Sequence, residues 1–164
     1  MFKTIVVGTD GSEHGQHAVA FTADLAAQLE AQVVLVHAEQ PFPPTFASAG
    51  GYIPYVPQSV IDETHAMTRR RVKTEFTAPL RSARVRYQTR VMEGPPAKAV
   101  AEVAAEVKAD LIVVGTRGLH ALGEFFLGST SHTLTQHAPV PVVVVPPPST
   151  IKTRAPEAPR PVVV

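Results

Sequence analysis

The chain has 164 residues, with 15 Lys and Arg against 14 Asp and Glu and a net charge of +1 when histidines are neutral. That balance offers no electrostatic footprint for nucleic acid or an anionic membrane. Cysteine is absent, which excludes disulfides, thiolate chemistry and Cys-based zinc sites. Apolar residues make up 45% and charged residues 18%, ordinary values for a globular protein, and the length suits one domain with a proper core.

The opening run Met1 to Gly8 lacks the long apolar segment and small-residue cleavage site of a signal peptide. Apolar runs elsewhere reach about five residues, far short of the roughly 20 a membrane span needs. A soluble cytoplasmic protein is the expectation.

Lys3 to Val7 is a β-branched run ending in Gly8, the pattern of a strand buried on both faces. Thr9-Asp10-Gly11-Ser12 is turn chemistry, with Ser12 a candidate helix N-cap. From His14 to Leu29, Ala18, Phe21, Leu25 and Leu29 recur at helical spacing and predict an inner face. Gln32 to His37 predicts a second buried strand, so the first three elements form a βαβ unit.

Residues 40–57 break this rhythm with five prolines, Gly50-Gly51 and the aromatics Phe42, Phe46, Tyr52 and Tyr55. A loop of this length is either a surface insertion or a functional lid. Ser59 then predicts the start of a second helix, with Asp62 as its capping-box partner. Ile61, His65, Thr68, Val72 and Phe76 share one face, and Pro79 predicts the end. Arg69-Arg70-Arg71 spread around the helix circumference and read as a solvated surface.

Val85 to Val91 alternates, with Val85, Tyr87, Thr89 and Val91 on one side and Arg84, Arg86, Gln88 and Arg90 on the other. This predicts a half-exposed edge strand. Gly94-Pro95-Pro96 turns the chain into a helix whose inner face holds Val100, Val103, Ala104 and Val107. Leu111 to Val114 predicts a buried fourth strand, Ser129 to Gln136 a short helix and Val142 to Val145 a fifth strand. The proline-rich stretch 147–164 has little apolar surface to bury and reads as a disordered tail.

Strands alternating with helices, joined by right-handed crossovers, give a doubly wound α/β fold. Ligands in such folds sit at the carboxyl ends of the strands, where strand order reverses. After the fourth strand the sequence reads Gly115-Thr116-Arg117-Gly118, nine residues, then Gly128-Ser129-Thr130-Ser131. Gly115 and Gly118 permit close backbone approach. Gly128 precedes a helix start with unpaired amides and a positive dipole end, to which Ser129, Thr130 and Ser131 add hydroxyls. The set suits phosphate; turn-making glycines and a simple cap would give the same letters. There is no Gly-Lys-Ser/Thr of a P-loop, and Gly8, Gly11 and Gly15 do not form the dinucleotide fingerprint.

Gly-x-x-Gly, nine residues and Gly-Ser resembles the ATP-binding motif of the universal stress protein family. Four other segments resemble that family in order: Lys3–Val7 with Asp10-Gly11-Ser12, Glu93-Gly94-Pro95-Pro96-Ala97, Ala109 to Gly115, and Pro139 to Val145. The resemblance spans residues 2–146, so a domain over 1–146 is expected. It implies a Rossmann-like five-stranded parallel sheet of order 3-2-1-4-5. It implies that Thr9 and Asp10 face the ribose or a phosphate-bound magnesium, that the backbone around Val36 meets adenine, and that Gly115, Thr116, Arg117, Gly118, Gly128, Ser129, Thr130 and Ser131 hold ribose and phosphates. It also implies a homodimer paired through Val142–Val145. Two alternatives stay open. One is slow ATP hydrolysis, with Glu124, His120 and His132 near the loop as candidates to polarise water. The other is a ligand-free dimeric scaffold.

Overall fold

A computed structural model describes residues 2–39, 57–116 and 127–146 of the chain. The proline-rich loop and the tail after Pro146, singled out in the sequence, lie outside the described residues. In chain order the elements are β1 (Thr4–Gly8), α1 (Glu13–Leu29), β2 (Gln32–Glu39), α2 (Gln58–Arg71), a π-helical turn (Val72–Phe76), α3 (Ala78–Ser82), β3 (Tyr87–Glu93), α4 (Pro96–Glu106), β4 (Leu111–Gly115), α5 (Ser129–His137) and β5 (Val142–Val145). The strands form one parallel sheet of order β3-β2-β1-β4-β5, as the resemblance implies. β1 lies in the middle. The chain winds outward through β2 to β3, then crosses back to β4, so strand order reverses between β1 and β4.

Alternate side chains of the central strands feed two separate cores. Ile5, Val7, Val33, Leu35 and Val113 pack with α1, Val72, Phe76 and Leu80 on one face. Val6, Val34, Val36, Ile112 and Val114 pack with Val100, Val103, Ala104 and Leu134 on the other. Helices therefore cover both faces, and β1 and β4 are buried along Thr4–Val7 and Leu111–Val114.

Four local expectations are corrected. The inner face of α1 consists of Gly15, Ala18, Val19, Thr22, Ala23 and Ala26, whereas Phe21 is exposed and Leu25 and Leu29 are partly buried. Small residues let this helix lie close on the sheet, which pushes its large side chains to the flanks. Ser59 does not cap α2: the helix starts at Gln58 behind Pro57 without a side-chain cap, and Asp62 accepts from Gln58 Nε2 at 3.0 Å instead.

Pro79 does not terminate the helical region; it stands in the first turn of α3, where its missing N–H has no partner to lose. The loosened carbonyls of the π-helical turn are collected by Arg81, whose guanidinium donates to Lys73 O at 2.8 Å and to Thr74 O at 2.7 Å. β3 runs two residues later than the alternation suggests, because Arg84 takes a left-handed φ of 55° and the ladder with β2 begins at Val33 and Tyr87. The side-chain alternation itself holds: Tyr87, Thr89 and Val91 are half-buried, and Gln88 and Arg90 are exposed.

Candidate nucleotide site

Two turns meet at the carboxyl ends of β1 and β4. The first is Thr9 to Ser12. Thr9 is buried and bonded through each of its polar groups: its amide donates to Val36 O at 3.0 Å, its hydroxyl accepts from Gly11 N at 3.1 Å, and its carbonyl accepts from His37 Nδ1 at 2.9 Å. Asp10 follows, with Oδ1 accepting from Ser12 N at 3.0 Å and Ser12 Oγ at 2.6 Å. Ser12 in turn caps α1 by accepting from Gly15 N at 3.1 Å, the role its position in the sequence predicts.

The turn is packed from both sides. Gly11 has φ 78°, and a β-carbon there would run into the Phe76 ring. A β-carbon on Gly15 would stand 2.6 Å from Thr9 Oγ1 and 2.8 Å from Asp10 Oδ1.

The second turn leaves β4 at Gly115 and Thr116. A β-carbon on Gly115 would lie 2.8 Å from His14 O in the first turn of α1, so β4 and α1 close together only because that carbon is missing. Thr116 N donates to Val145 O at 3.0 Å. Its carbonyl accepts from Gly128 N at 2.7 Å and from Ser131 Oγ at 3.2 Å, and Ser131 Oγ also donates to Gly128 O at 2.9 Å. The loop after β4 thus leaves and returns at one point, stapled by Ser131.

Of the residues the resemblance implies, the structure brings Thr9 and Asp10 to the end of β1, and Gly115, Thr116, Gly128, Ser129, Thr130 and Ser131 to the end of β4. Arg117 and Gly118 lie outside the described residues, as do His120 and Glu124. Val36 is buried, and its carbonyl already accepts from Thr9 N. Ser131 is also buried, with its hydroxyl engaged in the staple. Ser129 is exposed, Thr130 half-buried and His132 exposed.

The donors suit an anion. Gly128, in extended backbone (ψ 157°), is the N-cap of α5 and brings no side chain to its first-turn amides, where the positive end of the helix dipole lies. The Thr116 hydroxyl is buried and has no hydrogen-bond partner among the described residues. Such an atom is costly unless something pairs with it, and a bound oxyanion would do so. Among the described residues no group of three or more His, Asp or Glu could hold a metal ion. No described helix is long and apolar enough to cross a membrane.

The sequence reading missed His14, His37 and Phe76. His37 had a legible signal, as a polar residue directly after the apolar run Val33–Val36 of β2. His14 and Phe76 reach the site only through the packing of α1 and the π-helical turn.

The model of the universal stress protein family matches residues 1–146. A protein of Thermus aquaticus, the universal stress protein in the QAH/OAS sulfhydrylase 3' region, is 36% identical over 148 residues, covering 88% of this chain and 99% of its own. Universal stress protein YxiE of Bacillus subtilis is 34% identical, covering 88% of this chain and 99% of its own. A solved universal stress protein in complex with cAMP superposes with a TM-score of 0.62 at 29% identity, covering 88% of this chain and 96% of that one.

Proposed function

The chain belongs to the universal stress protein family, and on that premise we propose that it binds an adenine nucleotide, ATP first among them, as a regulatory component of a cytoplasmic stress response. The nucleotide lies in the crevice between the ends of β1 and β4. Its phosphates rest on the glycine-rich segment after β4, on Gly115, Thr116, Arg117, Gly118 and the amides of Gly128 to Ser131. Thr9 and Asp10 meet the ribose, or a magnesium ion carried in on the phosphates, and the segment of β2 around Val36 borders the adenine. The observation that carries this reading is the α5 start behind Gly128 beside the Thr116 hydroxyl, which has no partner among the described residues, at the sheet's switch point. The solved relative with cAMP supports the ligand class.

The proposed molecule is a homodimer. Among the described residues β5 pairs with β4 alone, and a valine-rich edge left open there is a template for another strand. Two copies paired along Val142–Val145 would cover it.

The test is direct. Protein purified natively is denatured, and the supernatant is analysed by mass spectrometry for adenine nucleotide. In parallel, stripped protein is melted with ATP at 100 times its dissociation constant. Linkage predicts about 2.7 kcal/mol of added stability, a rise in Tm of roughly 5–10 °C for a domain of this size. No released nucleotide together with no shift for ATP, AMP or cAMP would end this reading.

A further inference from the structure

We infer that His37 is a positioning residue for the nucleotide site, which holds the Thr9–Asp10 turn in its binding geometry through its ring N–H and is itself held by Phe76. The inference rests on the nucleotide reading above and adds residues that the glycine-rich motif does not contain.

The last ladder bond of β1 comes from Thr9. Thr9 N still donates to Val36 O, but the chain then turns toward α1, and the Thr9 carbonyl passes beyond the ladder. His37 Nδ1 reaches it at 2.9 Å. A carbonyl only accepts, so Nδ1 carries the hydrogen, which assigns the tautomer of the neutral ring. The bond fixes the peptide joining Thr9 to Asp10. That peptide sets the direction of the Asp10 carboxylate, the group that meets the ribose in the proposed complex.

His37 needs its own support, because a half-buried imidazole at a strand end has rotamers to choose from. Phe76 supplies it, with ring centroids 5.4 Å apart and planes at 66°, an edge-to-face contact. The same Phe76 ring lies under Gly11, where a β-carbon would collide with it. Phe76 ends the π-helical turn, and the wider turn shifts its side chain relative to the regular face of α2. π-Helical segments inside α-helical regions are frequent at functional sites. Here the segment delivers one aromatic ring that touches both His37 and the Asp10–Gly11 turn. Arg71 closes the outer side, its guanidinium carbon 5.3 Å from the Phe76 centroid.

The experiment uses the full chain in three forms: wild type, His37→Leu and His37→Asn. Asparagine carries its amide nitrogen on Cγ, where histidine carries Nδ1, so it can restore the bond to Thr9 O. Leucine keeps bulk and removes the donor. Amide hydrogen exchange at Gly11 and Ser12 is read without ligand, and ATP affinity is read by calorimetry. The expected result is exchange at least tenfold faster and ATP binding at least tenfold weaker in His37→Leu, with most of both restored in His37→Asn. Phe76→Leu gives the same signature in milder form and stands in if His37→Leu does not fold.

Exchange at Gly11 and Ser12 that stays at the wild-type rate overturns the brace, whatever ATP does. Faster exchange with unchanged ATP affinity overturns its role in the site. A wild-type protein that takes up no ATP overturns the nucleotide reading alone, and the exchange arm then decides the brace.

Discussion

Gly115 at the end of β4 is pressed against His14 in the first turn of α1: a β-carbon on Gly115 would stand 2.8 Å from the His14 oxygen and 3.1 Å from its carbonyl carbon. Both neighbours are backbone, so neither can rotate away. Gly115→Ala must push α1 off the sheet at the point where the proposed phosphate site is built. Overpacking of this kind costs about 1–3 kcal/mol. We expect the unfolding free energy from urea titration to fall by that amount and ATP affinity to be reduced in the same variant. A variant that unfolds with the wild type would mean that the close approach is not under constraint.

The strand framework was legible because four strands are short apolar runs ended by glycine or turn residues, the third shows a clean alternation, and all five are spaced by helical periods. Order 3-2-1-4-5 came from the family resemblance; the handedness of crossovers prescribes only the doubly wound class. The Ser12 cap was legible from its place before Glu13 and Gly15. Of the inner face of α1 only Ala18 was legible, since large apolar residues at helical spacing carry the amphipathic signal, whereas close helix–sheet contact favours small ones such as Gly15, Ala23 and Ala26. Pro79 carries an ambiguous signal because proline starts helices as readily as it stops them. Within the site the glycines were visible, but the packing of Phe76 against Gly11 joins residues far apart in the chain and leaves no periodic trace.

Ser12 joins two functions in one hydroxyl, accepting from Gly15 N and donating to Asp10 Oδ1. Ser12→Ala loses the cap and should destabilise the fold by about 1–2 kcal/mol, or roughly 2–4 °C in Tm per kcal/mol. At an ordinary N-cap, aspartate replaces serine without loss. Here the Ser12 hydroxyl is 2.6 Å from the Asp10 carboxylate, so Ser12→Asp sets two like charges together and should be less stable than Ser12→Ala at pH 7. Thermal melts of the two variants decide it; an aspartate variant equal to wild type would remove Asp10 from the cap.

β5 has an inner and an outer edge that can be separated by substitution. Ile112 N donates to Pro141 O, and Thr116 N donates to Val145 O. In a parallel ladder alternate residues face the neighbouring strand, so Val142 and Val144 direct their N–H and C=O away from β4. Val144→Pro removes an outward donor and leaves the ladder to β4 intact, and edge positions tolerate proline. If two copies pair through this edge, light scattering should report a dimer for the wild type and a monomer for the variant. A dimer unaffected by Val144→Pro would place the contact elsewhere.

Asp110 clamps the far end of the sheet. Its Oδ2 accepts from Lys3 N at 2.7 Å and from Thr4 N at 2.9 Å, while its own amide donates to Thr4 O at 2.9 Å. The bond from Lys3 N, followed by that from Thr4 N, lowers the carboxyl pKa below its ordinary value, and the positive charge of Lys3 acts the same way. The unfolded chain therefore takes up this proton at higher pH than the folded chain. The stabilisation is complete above the ordinary aspartate pKa of about 4 and is lost as pH falls through the lower folded value. Asp110→Asn keeps an acceptor oxygen but no charge, so it should be less stable than wild type at pH 7, and the gap should narrow steadily below pH 4. Urea unfolding of both proteins at pH 7 and pH 3 measures the two gaps, and gaps of equal size would show that the Asp110 charge contributes nothing to holding β1 against β4.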